Sequence, residues 1–183
     1  DIIQSMFPPN QPETGKNIGQ VMLVLSFALG LLALTFGFDG WLNNQTNPNR
    51  RPQSSETSTG VREVVLERNR QGHYVSGGQI NGVPVTFLLD TGATDVAVPT
   101  AIAISAGLEK GLRTRAATAN GVISVYSTRI NELKLGNITL HDIHASITPS
   151  LGGDTILLGM SALQRVEFTQ RGSTLTLRQQ PES

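Results

Sequence analysis

The chain has 183 residues, with 14 basic and 14 acidic side chains and no cysteine. That length accommodates one ordinary domain with additions. The charge balance provides no field to gather nucleic acid, and the missing cysteines exclude a disulfide framework and thiolate metal sites. Nineteen glycines, against one tryptophan, two tyrosines and six phenylalanines, predict tight turns and short strands, more all-β than helical.

After an N-terminal tail (residues 1–17) comes an apolar stretch, Ile18 to Phe38, broken among non-glycine residues only by Gln20, Ser26 and Thr35. At helical rise it extends about 30 Å, the thickness of a bilayer's hydrocarbon core. It holds no charge, and Trp41 follows where an indole can anchor at the interface. A cleavable signal peptide would have a shorter apolar core and a small-x-small site, whereas Asp39-Gly40-Trp41 follows here. The expectation is a retained transmembrane helix over residues 18–38, embedding the chain in a membrane. Its orientation is not set by charge, since Lys16 precedes it and Arg50 and Arg51 follow at a distance.

Residues 39–60 read as a flexible polar linker. From Asn43 to Gly60 there is no aliphatic or aromatic side chain, so the segment has little apolar surface to offset the entropy of ordering it. Asn44-Gln45-Thr46 fits a glycosylation acceptor triplet, a pattern common by chance.

Residues 61–178 read as the folded domain, with a short tail at 179–183. Val83, Val85, Phe87 and Leu89 alternate after Asn81-Gly82, a hairpin signal. Leu133 and Leu135 oppose Ile138 and Leu140 across Gly136-Asn137. Val166 and Phe168 are expected to face Leu175 and Leu177 across Arg171-Gly172. Two short helices are expected, at Thr100 to Ala106 and Ser161 to Arg165.

The chemistry centres on Asp90 in Phe87-Leu88-Leu89-Asp90-Thr91-Gly92-Ala93. An apolar strand delivers the carboxylate at its end. Gly92 permits a sharp turn, the Thr91 hydroxyl can hold that turn, and Ala93 keeps the surroundings small. Such a turn presents a carboxylate at the mouth of an apolar cleft, where its protonation can be tuned. Downstream lies Thr118-Ala119-Asn120-Gly121-Val122, a glycine-bearing hairpin, and then Ile156-Leu157-Leu158-Gly159-Met160 before Ser161-Ala162-Leu163.

In that order these elements resemble the retropepsin-like (clan AA) aspartic proteases. The resemblance covers roughly residues 61–178 and is nearest to a membrane-anchored bacterial branch, at Asp90-Thr91-Gly92-Ala93-Thr94-Asp95, Thr118-Ala119-Asn120-Gly121 and Leu157-Leu158-Gly159-Met160-Ser161. It implies a single-lobed acid-protease fold, with Asp90 catalytic and Thr91, Gly92 and Ala93 in the active-site loop. Thr118, Ala119, Asn120, Gly121 and Val122 would form a flap over an extended peptide, and Leu157, Leu158 and Gly159 a structural second motif. It also implies a domain facing the periplasm from the bacterial inner membrane. One departure stands out. Viral members place an arginine after the second-motif glycine to brace the active-site loop, and this chain has Met160. Asp95 then needs another partner, for which Arg165 is the candidate.

Aspartic proteolysis needs two carboxylates around one water, one acting as general base while its protonated partner polarises the scissile carbonyl. With a single Asp-Thr-Gly, the second carboxylate is expected from a second copy, in a homodimer whose two Asp90 side chains meet on the axis. Asp95, Asp142 and Asp154 lie in no comparable turn and read as solvated surface. His141 and His144 are three apart in a strand and so expected on opposite faces, which argues against a metal site. No cofactor is expected. The alternative class is a non-catalytic dimerisation or peptide-binding module on the same scaffold, including an accessory subunit of a membrane complex. The intact Asp90-Thr91-Gly92 favours the enzyme.

Overall fold

The structure is a computed structural model that describes residues 19, 21–34, 46–118 and 121–181. The chain divides into two compact units, residues 1–42 and 43–183. In the first, α1 is helical over residues 21–34 and every one of those side chains is exposed. Among the described residues no helix is long and apolar enough to cross a membrane. Both ends of the expected span, Ile18 and Phe38, lie outside them.

Among the described residues the second unit has eleven strands. Four form one sheet in the order β1 (Gln53–Glu56), β2 (Arg62–Glu67), β11 (Thr174–Gln179), β10 (Glu167–Arg171), all antiparallel. Seven form the other in the order β3 (Val75–Ile80), β4 (Val83–Leu89), β9 (Thr155–Leu158), β5 (Val96–Pro99), β8 (Ile138–Thr148), β7 (Gly121–Leu135), β6 (Arg113–Thr118), and β3 also pairs with β7. Two short helices, α2 (Thr100–Ser105) and α3 (Met160–Leu163), interrupt the strands close to the expected positions.

Alternation explains most of the core. Val64 and Leu66 of β2 lie opposite Leu177 and Leu175 of β11, all four buried. They join one apolar cluster with Ile80, Phe87, Val96, Ile130, Leu133, Ile143 and Ile156. The three expected turns are present. Asn81 and Gly82 at φ 47 and 80 close β3 onto β4, two successive left-handed residues that suit the twist of a two-residue hairpin. Gly136 at φ 60 joins β7 to β8, and Gly172 at φ 59 joins β10 to β11. Phe168 does oppose Leu177 but stays 43% exposed, and Val166 falls before the strand begins.

The alternation slips in β8. Leu140 and Ile143 are both buried while His141 and Asp142 between them are exposed, with Asp142 at φ 55. The same shift appears across the ladder, where Leu133 and Ile130 are both buried opposite them. Simple period-two counting therefore misplaces the histidines: His141 and His144 both face solvent.

The linker reading gives way over residues 46–60. Asn49 is 4% exposed. Its Nδ2 donates to the carbonyls of Glu67 (2.9 Å) and Val75 (2.7 Å), and its Oδ1 accepts the Glu67 N–H (2.7 Å). Its own carbonyl accepts from Gly77 N–H and Ser76 Oγ, and β1 then adds to the sheet edge beside β2. A segment without apolar side chains is thus ordered by amide side chains that bond main-chain groups. A Cβ at Gly77 would collide with the Arg50 carbonyl, so the strap lies directly on β3. At the other end, β11 runs through Gln179, whose side chain bonds both the N–H and the carbonyl of Thr139. The folded unit is longer at both ends than residues 61–178.

Candidate active site

β4 and β9 run parallel, with Leu88 beside Leu157 and Leu89 beside Leu158. The chain leaves β4 at Asp90, whose N–H still donates to the Leu158 carbonyl (3.1 Å). The loop then turns back: Ala93 N–H donates to the Asp90 carbonyl (3.2 Å), and Gly92 N–H donates to Asp90 Oδ1 (2.9 Å). A carboxylate bonded to a main-chain N–H two residues on is an Asx-type turn, which fixes the carboxylate's direction. Asp90 is half-buried, while Thr91 and Gly92 are exposed.

Gly92 is required for a different reason from the one expected. It is absent from the left-handed glycines; instead a Cβ there would stand 3.1 Å from Asp90 Oδ1. Glycine at this position keeps space beside the carboxylate oxygen that its own N–H bonds. The Thr91 hydroxyl bonds no group among the described residues, so it does not hold the turn from within this chain.

The second motif packs under the loop. Met160 N–H donates to the Ala93 carbonyl (2.8 Å) and Ser161 N–H to the Thr94 carbonyl (2.9 Å). A Cβ at Gly159 would strike the Asp95 carbonyl and come within 2.7 Å of the Ala93 carbonyl. Glycine is the residue that allows this approach. Asp95 and Arg165 form no ion pair among the described residues; with Met160 in place of an arginine, the loop is held by main-chain bonds. Sequence reasoning placed Ser161 in the motif but gave it no task. Its Oγ accepts the Val96 N–H (3.1 Å) and donates to the His144 carbonyl (2.7 Å).

Continuing the β4 alternation by one step puts Leu88 on the face of Asp90. Leu88 and Leu157 are adjacent and only half-buried, as is Ala97 opposite Leu157, so an apolar floor lies beside the carboxylate. An open groove of about 620 Å³ includes Leu88, Thr86 and Thr155 together with Arg50 of the strap, and a second of about 550 Å³ runs past Lys110 and Arg129; neither is lined by Asp90.

β6 and β7 form the expected hairpin, with Thr118 opposite Gly121 and Thr118 Oγ1 donating to the Gly121 carbonyl (2.7 Å). Gly121 has φ 111, and Val122 is 68% exposed. Ala119 and Asn120 lie outside the described residues. Asp142 is paired with Arg129 (2.6 Å) on the surface and Asp154 is exposed; neither joins Asp90. No group of three or more His, Cys, Asp or Glu positioned to hold a metal occurs among the described residues.

Comparisons with known proteins agree with this geometry. A family model described as "gag-polyprotein putative aspartyl protease" matches residues 76–165, which include Asp90, the hairpin and Gly159. An uncharacterized Sinorhizobium protein, encoded in the 5′ region of cobV, is 33% identical over 125 residues, covering 66% of this chain and 54% of its own length. An uncharacterized protein of Rickettsia prowazekii (strain Madrid E) is 34% identical over 116 residues, covering 61% of this chain and 49% of its own. The chain therefore spans about half the length of these relatives. The crystal structure of a retropepsin-like aspartic protease from Rickettsia conorii superposes with a TM-score of 0.57 at 29% identity, covering 70% of this chain and 96% of that one. By its fold, its Asp90 loop and its glycine-backed second motif, the domain of this chain belongs to the retropepsin-like aspartic proteases.

Proposed function

We propose that the chain is a membrane-anchored aspartic endopeptidase that acts as a homodimer. Each copy supplies one Asp90, and the two carboxylates hold a water between them. One takes a proton from that water as it attacks the peptide carbonyl, and the protonated partner donates toward the carbonyl oxygen. Two like charges a few ångströms apart do not both ionise readily, so the pair shares a proton. No covalent intermediate and no cofactor take part.

The observation that carries this reading is the Asp90 turn itself: a half-buried carboxylate, oriented by the Gly92 N–H and clamped from below by Leu158 to Ser161. A binding module has no need of a carboxylate oriented in this way. Exposure of Thr91 and Gly92 leaves the loop's outer edge free to meet a second copy. Leu88 and Leu157 suit an apolar side chain next to the scissile bond, and the main chain of the β6–β7 hairpin suits bonding to an extended peptide. The helix over residues 21–34, within the uncharged stretch 18–38, supports an anchor. A single pass through a bacterial inner membrane, with the protease domain in the periplasm, completes the proposal.

The test is to purify the full chain and an Asp90→Asn variant and incubate both with a mixed peptide library from acidic to neutral pH. Turnover by the parent and none by a folded, dimeric Asp90→Asn is the expected result. Cleavage that survives the substitution refutes the mechanism. A parent that dimerises, cleaves nothing and ignores transition-state-mimic peptides is a binding module instead.

A further inference from the structure

The loop from Asp90 to Val96 is held at both ends and in the middle by three residues of one short stretch, Leu158, Met160 and Ser161. Its first N–H, at Asp90, goes to the Leu158 carbonyl; its middle carbonyls, at Ala93 and Thr94, receive Met160 and Ser161 N–H. Its last N–H, at Val96, goes to a side chain, Ser161 Oγ, and that hydroxyl in turn donates a hydrogen bond to the His144 carbonyl. Val96 opens β5 and lies opposite Ala145 of β8 in a parallel ladder. At such a ladder's end, a strand N–H and a neighbouring carbonyl ordinarily bond directly. Here the Ser161 hydroxyl stands between them, accepting from one and donating to the other. A serine hydroxyl can do both at once, and an alanine side chain can do neither.

We infer that Ser161 is a positioning residue for Asp90: its hydroxyl fixes the outgoing end of the catalytic loop to β8 and supplies, without charge, the bracing that an ion pair would give. The inference rests on Asp90 being the catalytic carboxylate. Three of the four bonds are made by main-chain groups alone, so the Ser161 hydroxyl is the element of the brace that a side-chain truncation removes by itself. Since a hydroxyl does not titrate between acidic and neutral pH, the brace holds equally on both sides of the carboxylate range. Release of Val96 leaves the loop tied at Asp90, Ala93 and Thr94 but free to swing at its far end. Peptide binding along the hairpin and the Leu88–Leu157 floor then persists while the carboxylate loses its alignment with the water. Misplacement on the order of 1 Å is enough to cost about a hundredfold in rate.

The experiment compares the full-length parent with Ser161→Ala, Ser161→Thr and Ser161→Cys on a quenched fluorogenic peptide chosen from sequences the parent cleaves. Ser161→Ala is expected to lower kcat about tenfold or more with KM within about twofold, by the same factor at every pH. Ser161→Thr, which restores the hydroxyl, is expected to recover most of kcat; Ser161→Cys keeps the volume with a poor hydrogen-bonding group and falls between. Amide exchange at Val96 is expected to quicken in Ser161→Ala while the β2–β11 amides keep their protection. Unchanged kcat in Ser161→Ala overturns the inference, as does a Val96 amide whose protection does not change. A loss of kcat that disappears on cooling, or that equals the loss of folded fraction measured by circular dichroism, also overturns it, since fewer folded molecules lower kcat and leave KM unchanged. If the parent cleaves nothing, the protease reading fails, and Val96 exchange still decides whether Ser161 holds the loop.

Discussion

Asn49→Ala tests the claim that the strap belongs to the folded domain. The substitution removes three hydrogen bonds at once: two donated by Nδ2 to the Glu67 and Val75 carbonyls and one accepted from the Glu67 N–H, at 2.7 to 2.9 Å. Alanine leaves those main-chain groups without a protein partner in a place where Asn49 is 4% exposed. A net bond contributes about 1 kcal/mol, and an orphaned buried group costs about 1–3 kcal/mol. Water can reach part of this site once the side chain is gone, so three full penalties overstate the loss. The expected destabilisation is about 3 kcal/mol, a large share of a stability of about 5–15 kcal/mol. Urea denaturation of a chain starting at residue 46, followed by far-ultraviolet circular dichroism, measures it as a lower midpoint with an unchanged slope. A chain starting at residue 61 loses β1 as well and should fall further. A shift below about 0.5 kcal/mol for Asn49→Ala, which is the scatter of ordinary surface substitutions, would show the strap to be a surface ornament and refute the reasoning.

Other substitutions probe separate parts of the molecule. Gly159→Ala must displace the Asp95 and Ala93 carbonyls; peptide turnover should drop about a hundredfold or more, with a midpoint loss of about 2 kcal/mol, and parental turnover would show that the loop does not depend on this approach. Leu157→Ala opens the floor beside Leu88, so library profiling should show a shift toward bulkier side chains next to the scissile bond, whereas an unchanged profile would place that side chain elsewhere. Asp142→Ala breaks an ion pair whose side chains are 51% and 70% exposed and also puts alanine, which tolerates the left-handed region less well than aspartate, at φ 55. The ion pair alone contributes less than about 1 kcal/mol, so Asp142→Gly, which suits φ 55, should be the more stable of the two variants by thermal melting.

Much of the fold could be read from the chain because the relevant signals are local. Asn81-Gly82, Gly136 and Gly172 mark their turns through backbone conformations few other residues adopt, and Leu133, Leu135, Ile138 and Leu140 mark a buried face through period-two spacing. The readings that failed depended on long-range partners. Nothing near Asn49 in the sequence announces Glu67, Val75 and Gly77, so an apolar-poor segment looked unfolded. Likewise, the exposed His141 and His144 follow from a slip in β8 that is matched in β7, a property of two strands together. At the site, Asp90 and Gly159 were legible from their motifs, while the part played by the Ser161 hydroxyl required knowing that β5, β8 and α3 converge.

That convergence accounts for the departure at Met160. An arginine after the glycine is one way to hold an aspartate-bearing loop, and it requires a matching carboxylate and a geometry that offsets the desolvation of both charges. Here the loop's carbonyls meet N–H groups of Met160 and Ser161, and its terminal N–H meets a hydroxyl. Once those groups are satisfied, residue 160 no longer has to supply charge and is free to pack against the apolar cluster, as Met160 does. The constraint then falls on its two neighbours: Gly159 must lack a side chain because carbonyls occupy the space, and Ser161 must keep an oxygen because Val96 and His144 both use it. The sequence Gly-Met-Ser is thus the signature of an uncharged brace, in which the middle residue is the one least constrained by the loop.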